Sequence, residues 1–154
     1  MQVFRCSVTL AAPLTTVFSF FSTARNLELL TPPWLRVKVL TEGEIPMSRG
    51  RQIDYRLRLR GLPLRWRSEI TAWEPPHRFV DEQVIGPYRT WIHEHRFEVE
   101  ERPGRGPVVV ASDAVHYEAP GGALVNRLLV APDLKRIFRY RTARLRERFG
   151  ASRT

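Results

Sequence analysis

A single cysteine, Cys6, stands in a chain of 154 residues, which excludes an intramolecular disulfide and any multi-cysteine metal site. Because Cys6 alternates with Phe4, Val8 and Leu10, it reads as a small buried hydrophobe. No apolar run reaches the roughly 18 residues that a membrane-spanning helix needs, so an integral membrane protein is not expected. The opening stretch MQVFRCSVTLAAPL lacks the charged segment and unbroken apolar block of a secretory leader, and a cytoplasmic location is the expectation. Neither GRG nor APGG has the lysine and the glycine context of a phosphate loop, and no serine sits in a nucleophile elbow. Acidic residues are the scarcer charge, 16 against 25 basic ones, for a net charge of +9. That excess invites a nucleic-acid or anionic-membrane partner, but its placement argues against one. Arg56, Arg58 and Arg60 alternate along a strand, and much of the rest lies in KRIFRYRTARLRERF on a terminal helix. Neither segment interleaves exposed aromatics as a single-strand stacking platform does, so no specific nucleic acid is expected.

Hydrophobic residues make up 43% of the chain and aromatics 10%, enough for the core of one domain spanning residues 1–154. QVFRCSVTL alternates as a strand. APLTTVFSFFST then changes to helical spacing, with Leu14, Val17, Phe18 and Phe21 on one face and Pro13 at a tolerated first-turn position. ARNLELLTPPW adds a short second helix, with Asn26 as its cap and Pro32 and Pro33 as its stop. From Trp34 to Glu118 nearly everything alternates with period two. LRVKVL, RQIDYRLRLR, LRWRSEITAW, RFVDEQVI, TWIHEHRFEVEE and VVVASDAVHYE read as successive antiparallel strands, joined at GLP, EPPH, GPY and RPGRGP. Helical spacing returns at the end, with Leu134, Ile137, Phe138, Leu145 and Phe149 on one stripe and a break or kink expected between Val130 and Asp133, around Pro132. The fold class is therefore α+β.

That order, together with RGLPLRWRSEITAWEPPHRFVDEQVIGPYRTWIHEHRF, DAVHYEAPGG and RIFRYR, resembles the SRPBCC superfamily of StAR-related lipid-transfer domains, birch-pollen-allergen-like proteins and polyketide cyclases. Within that superfamily it looks like the small bacterial ligand-binding members. The resemblance covers nearly the whole chain. It implies a helix-grip fold, in which a curved antiparallel sheet wraps a long C-terminal helix, two short helices follow the first strand, and an apolar cavity lies between sheet and helix. It also implies that Trp66 and Trp91 face that cavity; otherwise all four tryptophans, Trp34 and Trp73 included, read as core or cavity wall.

The residues most open to chemistry lie on one strand face. Side chains alternate across a strand, so Trp91, His93, His95, Phe97 and Val99 share one side. If the hairpin over Gly86, Pro87 and Tyr88 keeps inward residues opposite one another, Asp81 faces His93, Gln83 faces Trp91 and Phe79 faces His95. Asp113 and Tyr117 share a parity on the last strand, and Tyr55 and Arg141 join from the third strand and the terminal helix. The candidate ligand-binding set is thus Tyr55, Trp66, Asp81, Gln83, Trp91, His93, His95, Asp113, Tyr117 and Arg141, with His93 and Asp81 the candidates for proton transfer. Four readings stay open for the inward histidines: a directed polar group in an apolar ligand pocket, a satisfied core network, a metal site of two histidines and a carboxylate, and a His/Asp general base. No cofactor or metal is expected. The favoured function is binding of a small, largely hydrophobic molecule by a monomer or homodimer. One alternative is a cyclase- or dehydratase-like enzyme acting on a carbonyl, polyketide-like substrate. Another is a basic adaptor for an acidic partner, which requires steep salt dependence.

Overall fold

In the computed structural model, which describes residues 1–150, the long alternating stretch becomes a continuous antiparallel sheet. Its strands are β1 (Gln2–Leu10), β2 (Lys38–Val39), β3 (Gln52–Leu59), β4 (Leu62–Glu74), β5 (Arg78–Ile85), β6 (Thr90–Arg102) and β7 (Gly106–Glu118), in the spatial order β1-β7-β6-β5-β4-β3-β2. Only the β1–β7 pairing is not between neighbours in sequence, and it brings Cys6 opposite Asp113. Strand β4 slips register against β5 twice, between Arg67 and Ser68 and between Ile70 and Ala72. Such bulges bend a strand and strengthen its twist, and here they curve the sheet around the helices. The expected α+β helix-grip architecture is the one observed.

Helices α1 (Leu14–Ser22) and α2 (Leu27–Leu30) follow β1. Phe18 and Phe21 of α1 set their rings against Phe97 of β6, with centroids 5.4 and 4.9 Å apart, and so close the core at that end of the sheet. The chain ends in α3 (Gly122–Val125), a π-helical turn over Asn126–Val130, and α4 (Ala131–Phe149). The expected stripe is present, since Leu134, Phe138, Arg141 and Leu145 are buried.

Five local expectations need correction. Of the break or kink expected near Pro132, the break does not occur, because the π turn runs directly into α4. Proline lacks an N–H and crowds the carbonyl four residues back, and the wider turn accommodates both without ending the helix. LRVKVL pairs only over Lys38–Val39, since Pro33–Leu35 forms a 3₁₀ turn and Arg36 turns left-handed at φ 45°. The hairpin expected at GLP turns at Arg60 and Gly61, with φ of 50° and 82°, leaving Pro63 inside β4; positive φ at both central residues is the type I′ signature. Asn26 does not cap α2 but donates its side-chain amide to the Phe20 carbonyl at 3.0 Å. Trp34, expected in the core or a cavity wall, is 49% exposed. It lies against Tyr140 and beneath the Arg136 guanidinium, 4.9 Å from the ring centre, a cation–π contact on the surface.

Candidate functional site

Between the curved sheet and α4 lies a cavity of about 190 Å³. Leu27, Leu30 and Leu35 wall it from the α2 segment, Leu57 and Leu59 from β3, and Leu134, Ile137 and Phe138 from α4. Trp66, Tyr88 and Trp91 form an aromatic end, with the Trp66 and Trp91 rings edge to face at 5.3 Å. The charged lining groups are Asp81, His93, His95 and Arg141, which confines charge to one wall.

That wall follows from strand register. Asp81 pairs with His93, Phe79 with His95, and His95 with Asp113 across the other side of β6. The side chains, however, bond on the diagonal. Asp81 Oδ2 accepts from His95 Nε2 at 2.7 Å and stands 3.9 Å from His93 Nδ1. His93 Nε2 instead meets Asp113 Oδ1 at 2.7 Å. His95 Nδ1 lies 3.2 Å from the same Asp113 oxygen but off hydrogen-bonding geometry, and Arg141 Nη2 lies 3.8 Å from it. Asp113, 5% exposed, is therefore the anion around which both imidazoles and the guanidinium gather.

Electrostatics follow from that crowding. Burial pushes the Asp113 carboxyl up, but the Arg141 charge, the His93 hydrogen bond and the close approach of His95 outweigh it and hold the group well below the usual carboxylate range. Asp81 follows the same balance: burial raises it, and the His95 hydrogen bond with the neighbouring positive charges brings it down. For His95 burial acts downward, yet its contacts with Asp113 and Asp81 raise it above its ordinary value. His93 goes the other way, lowered by burial and by the His95 ring, whose centroid is 3.8 Å away. Burial and the nearby Asp113 charge push the Cys6 thiol up to about 12, which makes it unreactive. Tyr55 is raised by burial and then by the Asp81 charge, so it stays a neutral phenol.

Of the ten candidate residues, Tyr55, Trp66, Asp81, Trp91, His93, His95 and Arg141 line the cavity, and Asp113 lies behind His93 and His95. Gln83 and Tyr117 do not reach the lining. The β5–β6 ladder ends at Glu82 and Ile92, one step short of the expected Gln83–Trp91 pair. Gln83 turns instead to the hairpin loop, donating to the Tyr88 carbonyl at 2.7 Å and accepting from the Tyr88 N–H at 3.1 Å. Tyr117 donates its hydroxyl to Asn126 Oδ1 at 2.7 Å, tying β7 to the π turn. Tyr88 and Pro87 are among the lining residues that alternation does not reveal, because they sit in a loop where parity carries no information.

The Gln83 clamp fixes Tyr88 at the aromatic end and depends on Gly86. A Cβ at Gly86 would come within 2.4 Å of Gln83 Oε1, so Gly86→Ala must displace the amide. Loss of two hydrogen bonds is expected to cost about 1–2 kcal/mol and to loosen Tyr88. Urea denaturation and Tyr88 proton line widths check both.

Asp81, His93 and His95 also offer one ligand atom each within 4.8 Å of one another, the donor set of a two-histidine, one-carboxylate centre. In the present arrangement His95 Nε2 is hydrogen-bonded to Asp81 and His93 Nε2 to Asp113, so the donors serve one another. The geometry is that of a charge-balanced hydrogen-bond network.

Comparison with known proteins agrees with this architecture. The family model for polyketide cyclase / dehydrase and lipid transport proteins matches residues 1–150. Similar solved structures include protein CV1439 from Chromobacterium violaceum, with a TM-score of 0.73 at 14% identity, covering 97% of this chain and 99% of that one. The major latex-like protein 151 of Panax ginseng gives 0.68 at 12% identity, with coverages of 96% and 97%. The ZhuI aromatase/cyclase of a Streptomyces species gives 0.66 at 17% identity, with coverages of 96% and 92%. At these identities the likeness concerns the fold. No curated protein matches the sequence, and among the described residues no helix is long and apolar enough to cross a membrane. With a family model matched from the first residue to Gly150, the chain belongs to the SRPBCC superfamily, in the polyketide cyclase / dehydrase and lipid transport family.

Proposed function

We propose that this domain binds a small, largely apolar molecule in the cavity beneath α4 and orients it against the Asp81, His93, His95 and Arg141 wall. The observation that supports this most is the segregation of the lining, with charge confined to Asp81, His93, His95 and Arg141 and a mainly aliphatic and aromatic surface elsewhere, interrupted by the hydroxyls of Thr23, Thr31 and Ser68. Apolar walls supply affinity and a few directed polar groups supply orientation. Burying roughly 200 Å² of a ring contributes about 5 kcal/mol at 25 cal/mol per Å². Association costs of at least about 4 kcal/mol nearly cancel this, so the polar wall decides whether binding is useful. Ile137 faces the cavity from α4, and Ile137→Trp is expected to fill it. Calorimetric titration with a ring-sized probe should then lose its signal while circular dichroism stays that of the parent; retained binding would place the site elsewhere.

A second reading, an enzyme of the cyclase or dehydratase type, is favoured by one feature. His93 holds a buried aspartate on Nε2 and leaves Nδ1 without a hydrogen-bond partner, the arrangement that prepares an imidazole as a general base. His93→Asn is expected to abolish turnover of a carbonyl substrate while leaving its affinity within about threefold if His93 moves a proton. Parallel loss of both would support binding alone.

A further inference from the structure

Resting on that binding reading, we infer the class of ligand: a neutral molecule of one or two rings bearing a hydroxyl, a phenol or an enol, with the hydroxyl seated against His93 Nδ1 and Asp81 Oδ2. Three observations lead there.

The first is charge balance. Asp81 and Asp113 supply two negative charges and Arg141 a positive one, and the contacts of His95 with both carboxylates favour its imidazolium form as the second. His93, with the His95 ring 3.8 Å away, is pushed toward its neutral form. A buried cluster whose carboxylates already face positive partners accepts a neutral ligand at little cost, whereas a carboxylate would add a buried charge with no partner of its own.

The second is the tautomer. Asp113 is an acceptor, so the single proton of neutral His93 lies on Nε2, which makes the 2.7 Å hydrogen bond. Nδ1 is then a lone pair, and the atom it approaches, Asp81 Oδ2 at 3.9 Å, is another acceptor. Two acceptors held in proximity call for a donor from outside. A hydroxyl answers that call, donating to His93 or Asp81. An ether or ketone only accepts, and an ammonium only donates while upsetting the balance.

The third is size. The cavity of about 190 Å³ slightly exceeds the ~150 Å³ apolar cavity that takes up benzene. Its aromatic end, Trp66, Tyr88 and Trp91, suits the edge-to-face approach of a planar ring.

The test is isothermal titration of the full chain at pH 7.5 (about one unit above the ordinary histidine value) with naphthol, methoxynaphthalene and naphthoate carrying their substituent at the same ring position. Naphthol should bind about tenfold or more tighter than the methyl ether, and naphthoate should give no heat. In His93→Gln the preference for the hydroxyl should fall below about threefold, with the ether unaffected. Should that variant not fold, Asp81→Asn gives the same comparison, and the three-ligand series on the parent protein stands without either. Equal binding of naphthol and its ether would overturn the donor inference while leaving the cavity reading intact. Tighter binding of naphthoate would make the wall an anion site and overturn it likewise. Absence of binding by all three would overturn both readings.

Discussion

Asp113→Asn is expected to destabilise the fold by about 3–5 kcal/mol, the range for removing one partner from a buried ion pair. The change is nearly isosteric, so the loss is electrostatic. It leaves Arg141, 7% exposed, without its nearest counter-charge, and removes the anion that holds His93 at 2.7 Å. The half-exposed pair of Arg67 and Asp54, 2.9 Å apart, is the natural control; Asp54→Asn there should cost under about 1 kcal/mol. Adding Arg141→Met to Asp113→Asn should recover a large part of the loss, because the uncompensated cation goes too. The acid limb of stability should change with it. Both carboxyls titrate below their ordinary 3.8 in the folded state, so the stability they confer is present above that value and is lost as pH falls through their folded values. Near neutrality the histidines oppose one another. His95, raised above 6.5, contributes stability that is lost as pH rises through its folded value, and His93, lowered from 6.5, contributes stability that is lost on acidification. The parent should therefore show a shallow dependence around pH 6–7 and a steep loss below about pH 4–5, with Asp113→Asn shallower there. Urea midpoints measured across pH check both statements.

Phe97→Ala should cost a similar amount, about 3–5 kcal/mol, without touching the ligand. Phe97 is 1% exposed, with Phe18 and Phe21 edge-on at 5.4 and 4.9 Å and Phe79 stacked at 6.2 Å. Truncation opens a void where α1 meets the sheet, one residue behind the cavity wall, since Phe97 itself does not line the cavity while its neighbours Phe21 and Phe79 do. Two residues further along the same face, Val99 is 51% exposed, and Val99→Ala should change stability by less than about 0.5 kcal/mol. Denaturation of both variants, with ligand affinity measured on the folded fraction of Phe97→Ala, separates a stability role from a binding role.

The contrast between Phe97 and Val99 also marks where sequence reading stops. Period-two alternation placed both on the inner face, correctly for parity, but parity cannot tell how far the helices extend over a strand. The inward set around His93 and His95 was legible because the β5–β6 hairpin register follows from loop length. Which carboxylate serves which imidazole was not legible. Asp81 stands opposite His93 yet bonds His95, two residues away on the same face, a choice made by strand twist and side-chain reach rather than by pairing. Gln83 and Tyr117 carried the right parity but spent their polar groups on the Tyr88 backbone and on Asn126. Those partners lie in a loop and a π turn, where neither period applies. Proline misled in two places: Pro63 was expected in a turn but lies inside β4, and Pro132 signalled a break or kink where the wider turn before it keeps the helix continuous.

Methyl and indole NMR during titration with naphthol tests whether a small neutral molecule enters between sheet and α4. Saturable shifts are expected at the Leu57, Leu134 and Ile137 methyls and at the Trp66 and Trp91 indoles, all in the lining. Leu10, Val17 and Val109, in the core under α1, should stay fixed. Perturbation confined to the arginine-bearing outer face of α4, or none at the solubility limit of the probe, would contradict such entry.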